Sequence, residues 1–97
     1  MPTYISLCNW TDQGIRTVKD QGKRFDAAKQ RVKEAGAEFK AIYMTIGAYD
    51  MVTVWEAPND EVAAKLLLAI AGNGNVRTTT LRAFNEAEAR SIIASLG

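Results

Sequence analysis

The segment IYMTIGAYDMVTVWEAP, residues 42–58, decides the fold, because two strand-like runs flank a short break at residues 47–50. β-Branched and aromatic side chains, which fit a pleated strand, crowd both sides of the break. Gly47 can adopt the positive φ that a tight reversal needs, and Asp50 can hydrogen-bond its own nearby backbone. The two runs therefore predict neighbouring antiparallel strands joined as a hairpin. Tyr49 and Asp50 fit turn chemistry, or a phenol and a carboxylate displayed at the rim of a cavity.

Length and composition bound the remaining possibilities. The chain has 97 residues, of which 47% are apolar and 24% charged, so residues 1–97 are expected to form one globular domain. A formal net charge of +1, with acids and bases interleaved, gives no electrostatic footprint for nucleic acid or for an anionic membrane. The N-terminus lacks the features of a secretory signal, and a lone Cys8 excludes an internal disulfide. A cytoplasmic protein without a nucleic-acid or membrane partner is expected.

The remaining segments predict a mixed order of strands and helices. Periodicity, caps and turn residues predict strands at 3–10, 38–46, 50–57 and 75–84, a helical region at 14–35 interrupted at Gly22, a helix from Asp60 to Gly72, and a terminal helix capped by Asn85 with Glu88. This β-α-β-β-α-β order, plus a final helix, is typical of α+β ferredoxin-like domains with a four-stranded antiparallel sheet.

Two helices can cover only one face of such a sheet, so the side chains of the other face would be exposed to solvent. The second and third strands are apolar on both faces: Ile42, Met44 and Ile46 oppose Phe39, Ala41 and Tyr43, and Val52 and Val54 oppose Met51 and Trp55. An uncovered face of this composition would be a large exposed apolar patch. We therefore predict a homodimer whose sheets pack face to face. The competing prediction is that the C-terminal helix folds over this face in a monomer.

Three segments in order, NWTDQGI at 9–15, GAYDMVTVWEAPND at 47–60 and GNVRTTTLRAF at 74–84, resemble the GYD domain family. The glycine, tyrosine and aspartate that name the family fall at Gly47, Tyr49 and Asp50. The resemblance covers nearly the whole chain and implies a ferredoxin-like unit of the dimeric α+β barrel group. It implies little about chemistry, because the function of the family is poorly defined.

The chain contains no histidine, which is the usual metal ligand and the side chain most often poised for proton transfer near neutral pH. Some dimeric α+β barrel proteins bind haem or use histidine, and this chain cannot follow them by that route. Asp50, Glu56 and Asp60 are more simply a turn, a strand end and a helix start than a cation site. We therefore expect no metal and no cofactor.

The candidate ligand-binding residues combine phenols, carboxylates and guanidinium groups near the predicted hairpin and the last strand. They are Tyr43, Tyr49, Asp50, Glu56, Arg77 and Arg82. A tyrosine would donate a hydrogen bond, a carboxylate would act as a base, and an arginine would clamp a substrate carboxylate. The arginines are equally explained by pairing across the sheet or by reaching to water.

A second set of residues occupies the alternate strand positions that carry fewer aliphatic side chains. It comprises Tyr4, Ser6, Trp10, Tyr43, Thr45, Thr78, Thr80 and Arg82, mixed with Phe39, Met51 and Trp55. This mixture fits the lining of a small-molecule cavity or a dimer interface, and we favour the interface.

The favoured function is a non-catalytic or small-molecule-binding homodimeric module, able to assemble further or to bind a small organic ligand. The alternative is a cofactor-independent isomerase or oxygenase acting on a small organic substrate.

Overall fold

The computed structural model describes residues 1–97 and contains one four-stranded antiparallel sheet in the order β2-β3-β1-β4. The elements in chain order are β1 Thr3–Trp10, α1 Asp12–Arg16, a short 3-10 helix Val18–Asp20, α2 Gln21–Glu34, β2 Glu38–Met44, β3 Met51–Glu56, α3 Asp60–Ala71, β4 Val76–Ala83 and α4 Glu86–Ala94. The strand order and the antiparallel pairing confirm the predicted α+β, ferredoxin-like arrangement.

The helix termini are largely set by side-chain caps. Asn59 accepts a hydrogen bond from the backbone N–H of Val62 at the start of α3. Asn85 and Glu88 form the predicted capping box at the start of α4, each side chain bonding the other residue's backbone N–H. Gly36, which follows α2, has a φ of 78°, a conformation that glycine adopts without a steric cost.

The predicted break in the first helical region is misplaced. The helix is interrupted at residues 17–20, and Gly22 lies inside the first turn of α2. Thr11 caps the short helix α1, and Arg24 of α2 then donates hydrogen bonds to the backbone carbonyl oxygens of Gly14 and Thr17. The bend is thus held by a side chain of the following helix, which the glycine position did not indicate.

The two faces of the sheet differ in what covers them. The face packed against α2 and α3, here the covered face, holds the core cluster of Tyr4, Val32, Ala37, Trp55, Ala57, Ala63 and Leu66. The opposite face, here the open face, carries Ile5, Leu7, Tyr43, Val52, Val54 and Leu81, which the strand register brings side by side. Tyr43 is 61% exposed and Leu81 49% exposed, so nothing in the chain covers this face.

A β-bulge in β2 corrects the predicted faces of this strand. The register shifts between Phe39, which pairs with Trp55, and Ala41, which pairs with Val54. The extra residue, Lys40, places Phe39 on the covered face together with Ile42, whereas simple alternation predicted that they oppose each other. Phe39 packs against the core cluster as a result.

The C-terminal helix α4 does not cover the sheet, so the competing prediction of a monomer closed by this helix is wrong. α4 forms no substantial packing contact with any other helix or strand, and Ile92, Ile93 and Leu96 stay exposed. The molecule is accordingly elongated, with principal extents of 52 × 31 × 18 Å. None of its helices has the length and apolar character needed to cross a bilayer.

Candidate functional site

Three sequence motifs meet at one end of the sheet, where β1 ends and β4 begins. The hydroxyl of Thr11 donates to the carbonyl oxygen of Gly74 at 2.6 Å, and the backbone N–H of Thr11 donates to that of Asn75 at 3.1 Å. Gly14 is buried against the same segment, and a Cβ there would lie 1.9 Å from the carbonyl oxygen of Asn75. Gly14 is therefore required, because only a residue without a side chain allows its backbone to approach that of Asn75 so closely.

The hairpin motif reaches the same end of the sheet through Asp50. Its carboxylate oxygen Oδ2 accepts a hydrogen bond from the backbone N–H of Trp10 at 2.9 Å, and its own N–H donates to the carbonyl oxygen of Cys8 at 2.9 Å. The carbonyl oxygen of Tyr49 accepts from the hydroxyl of Thr45. These bonds fasten the β2–β3 turn to β1 and give Asp50 a structural role that fits the turn explanation.

The other candidate carboxylate, Glu56, lies at the far end of β3. Its side chain is 3.6 Å from the ammonium of Lys40, which also lies 3.2 Å from Glu38. The hydrogen bond and charge of Glu38, with the charge of Glu56, raise the pKa of Lys40. Asp50 and Glu56 are separated by six residues of extended chain, or about 20 Å at roughly 3.3 Å per residue. They do not form a carboxylate pair.

The remaining candidates are also dispersed. Tyr43 lies on the open face opposite Val52, and Arg77 lies on that face at the other edge of the sheet, opposite Asn9. Arg82 lies on the covered face, where its guanidinium donates to backbone carbonyl oxygens and its Cζ is 4.5 Å from the centroid of the Phe84 ring. The structure therefore does not gather the six candidate residues into one site, and their ligand-binding role stays a prediction.

A cavity of about 200 Å³, here the helix–sheet cavity, lies between the covered face and helices α2 and α3. Its apolar lining includes Phe25, Val32, Phe39, Met51 and Ile70, and none of the six candidate residues lines it. Ser6, Thr78, Phe39, Met51 and Trp55 of the less aliphatic set do line it. The prediction of a cavity lining therefore holds for these five residues, and the favoured assignment to an interface is wrong for them because α2 and α3 cover this face. Tyr43, which belongs to the same set, lies on the open face instead.

Two buried groups of the covered face have raised pKa values. Burial, together with the hydrogen bond that the hydroxyl donates to Asp60, raises the pKa of Tyr4 to about 12. Burial raises the pKa of the Cys8 thiol to about 11. Both groups are therefore neutral near pH 7, and Cys8 is not an activated nucleophile. No cluster of three or more carboxylate or thiol side chains is positioned to hold a metal ion.

Sequence reasoning did not locate the helix–sheet cavity, because its lining comes from six separate helices and strands and from the α3–β4 loop. The signal that pointed toward it was the mixture of hydroxyl and aromatic residues on alternate positions of β1 and β4. That pattern correctly distinguished the residues of the covered face by their mixture of polar and aromatic side chains. It did not reveal which face the helices cover, because aliphatic and aromatic residues occupy both parities.

Comparisons with known proteins identify relatives over nearly the full chain. The family model described as GYD domain matches residues 4–93. A protein of Thermus thermophilus named glutamine synthetase and cystathionine beta-lyase binding protein is 35% identical over 89 residues, which cover 91% of this chain and 94% of the relative. A crystal structure of a protein from the same organism superposes with a TM-score of 0.56 at 24% identity, covering 88% of this chain and 95% of that one. This last similarity concerns the fold alone.

Proposed function

Because the chain belongs to the GYD domain family, we propose that it is a non-catalytic, homodimeric module that binds other proteins. The observation that carries this proposal is the open face of the sheet, which presents aliphatic side chains that nothing in the chain covers. The name of the Thermus thermophilus relative, which describes binding to two enzymes, supports a protein-binding role. The proposed setting is the cytoplasm, where the single unpaired thiol of Cys8 would stay reduced.

The absence of an assembled acid–base pair favours binding over the enzymatic alternative. Asp50 is occupied by the backbone N–H of Trp10, and Glu56 is paired with Lys40 at the opposite end of β3. Neither carboxylate lines the helix–sheet cavity, which could enclose a small substrate. General acid–base catalysis needs both groups within hydrogen-bond reach of one substrate.

A second copy of the chain is the proposed partner of the open face. The aliphatic residues Ile5, Leu7, Val52 and Val54 lie on the two central strands, β1 and β3, which form the middle of the sheet. A two-fold axis through this region would bury the same patch on both copies. Tyr43 and Leu81, the most exposed apolar residues of the face, would pack at its two sides.

The apolar side of α4 is the proposed contact for a bound enzyme. Ile92 and Ile93 lie in the last turn of α4 and Leu96 just follows its end, and their exposed fractions are 49%, 65% and 83% respectively. The capping box fixes the start of this helix locally, although α4 makes no substantial packing contact with another element. An amphipathic helix that projects from a domain is a common way to engage a groove on another protein.

The dimer is tested by sedimentation velocity on the wild type and on Val54→Lys. The substitution places a charge at the centre of the open face, so we expect the dimer to dissociate to monomers. Ala64→Lys, which introduces the same side chain at an exposed position of α3, is the matched control and should stay dimeric. A monomeric wild type, or a dimeric Val54→Lys variant, would contradict the proposed interface.

Enzyme binding is tested by titrating the purified chain against glutamine synthetase and cystathionine beta-lyase from the same source organism. We expect saturable binding of at least one enzyme, lost in Ile93→Asp and kept in Ala87→Asp, an exposed position of the same helix. Binding that persists in Ile93→Asp would overturn the assignment to α4. Failure to bind either enzyme would overturn the proposal of an enzyme-binding role while leaving the dimer intact.

A further inference from the structure

The helix–sheet cavity has a mainly apolar lining, in which the polar side chains of Ser6 and Gln21 already have hydrogen-bond partners. The hydroxyl of Ser6 accepts from Trp55 Nε1 at 2.9 Å and is bonded to the hydroxyl of Thr80 at 2.8 Å. The side-chain oxygen of Gln21 accepts from Trp10 Nε1 at 2.9 Å and from Arg24 at 3.1 Å. No buried side-chain nitrogen or oxygen lacks a partner. The hydroxyls of Thr53 and Thr78 also line the cavity, but most of the lining is apolar. A largely apolar ligand body therefore fits best, because a strongly polar body would lose its water with few replacements.

The volume of the cavity limits the ligand to about one ring. An engineered apolar protein cavity of about 150 Å³ stays dry and binds benzene, so a cavity of about 200 Å³ holds a substituted single ring. The rings of Phe25 and Phe39 in the lining offer edge and face contacts to an aromatic guest. Longer acyl chains would have to extend out of the opening into water.

The charge of the lining identifies the polar end of the ligand. Two arginines of α2, Arg24 and Arg31, line the cavity, and the lining contains no carboxylate residue. Arg24 is occupied by Gly14, Thr17 and Gln21, whereas the side chain of Arg31 is exposed and has no hydrogen-bond or ion-pair partner. The two guanidinium groups are seven residues apart and so lie on one side of the helix. An unneutralised guanidinium beside an apolar cavity favours a carboxylate head group.

We propose that the helix–sheet cavity binds a small monocyclic aromatic carboxylate, with its ring between the sheet and α2 and its carboxylate on Arg31. This site is separate from the open face and from α4, so it stands independently of the proposed protein-binding role. The ring is selected by cavity size and apolarity, and the head group by the unpaired guanidinium. A neutral or cationic compound of the same shape cannot form the ion pair with the guanidinium of Arg31.

The proposal is tested by ¹⁹F NMR titration of the full chain with 4-fluorobenzoate, 4-fluorotoluene and 4-fluorobenzylamine. We expect saturable binding of 4-fluorobenzoate, binding of 4-fluorotoluene weaker by about tenfold, and no binding of 4-fluorobenzylamine. In Arg31→Gln the affinity for 4-fluorobenzoate should fall about tenfold while that for 4-fluorotoluene stays constant. Arg77→Gln, which removes an exposed arginine from the open face, is the matched control and should change neither affinity.

A variant that fills the cavity tests the position of the ring. Ala28 of α2 lines the cavity, so Ala28→Leu should abolish binding of both compounds without lowering the melting temperature. Cys8, which also lines the cavity, gives a readout in the wild-type chain: bound 4-fluorobenzoate should slow its alkylation by N-methylmaleimide. Absence of saturable 4-fluorobenzoate binding, unchanged affinity in Arg31→Gln, or unprotected Cys8 at saturation would each overturn the proposal.

Discussion

Polar side chains are usually exposed and aliphatic ones buried, but the two faces of this sheet show the opposite along β1. On β1, the hydroxyl of Ser6 is 3% exposed on the covered face, whereas the neighbouring aliphatic residues Ile5 and Leu7 are only partly buried on the open face. This distribution of hydroxyl and aliphatic side chains in the isolated chain is the observation on which the proposed dimer rests. An exposed apolar face of this kind often marks a surface that binds another protein, so exposure in one chain need not mean exposure in a complex.

The covered face accommodates polar groups because each of them is paired. Ser6 joins Thr80 of β4 to the indole N–H of Trp55 on β3, so one hydroxyl links three adjacent strands through side chains. The ring of Tyr4 lies 5.0 Å from that of Trp55, which adds aromatic packing above this network. The open face has no such network, and its aliphatic side chains are only partly buried in the isolated chain.

The largest expected contrast between the faces comes from adjacent residues of β3. Trp55→Ala should lower the free energy of unfolding by about 3–5 kcal/mol, because it removes a buried aromatic ring and leaves Ser6 without its donor. Val54→Ala should cost about 1 kcal/mol at protein concentrations that favour monomers, because this side chain is only partly buried there. Chemical denaturation at several protein concentrations measures both. Val54→Ala should cost more as the concentration rises, and an equal cost at all concentrations would contradict an interface on the open face.

The hydroxyl groups of the two faces give a smaller contrast. Ser6→Ala should lower the free energy of unfolding by about 1–3 kcal/mol, because it leaves the buried N–H of Trp55 unpaired. Thr79→Val replaces an exposed hydroxyl of the open face by a methyl group of similar shape and should change stability by about 0.5 kcal/mol or less. Urea denaturation of both variants measures the difference. Equal effects would mean that the Ser6 network does not stabilise the covered face.

The smallest contrast concerns pH and the phenol of Tyr4. Because burial raises its pKa from 10.0 to about 12, the neutral phenol is favoured in the folded chain. The stability contributed by this shift is complete below pH 10 and is lost as the pH rises toward 12. Melting temperatures of the wild type should therefore fall more steeply over this range than those of Tyr4→Phe. Cys8 titrates partly in the same range, but it is present in both proteins. Parallel pH profiles would contradict the inferred environment of Tyr4.

The order of elements and most helix termini were predictable because their causes are local. Alternation in β1, the cap at Asn59 and the capping box at Asn85 each depend on residues within a few positions. The bulge at Lys40 was not predictable, because an inserted residue changes no composition and only the pairing with β3 reveals it. Which face the helices cover was also hidden, because it depends on the approach of α2 and α3 across the whole sheet.

The candidate residues illustrate the same limit at the level of the site. Asp50 was correctly associated with turn chemistry, but its bond to the backbone of Trp10 joins segments forty residues apart and has no sequence signal. The pairing of Glu56 with Lys40 likewise depends on the β2–β3 register. Arg31 was not singled out, since on sequence alone it is one more basic residue of an amphipathic helix.

The bulge at Lys40 also affects how the molecule avoids uncontrolled polymerisation. β2 is an edge strand of the sheet, and an edge with regular unpaired backbone groups invites strand addition by another chain. An extra lysine at an irregular position twists this edge and leaves a charge on it, which makes it a poor template for a growing ribbon. Growth of cross-strand fibrils from this edge is therefore disfavoured, so the proposed contact through the open face would not have to compete with it.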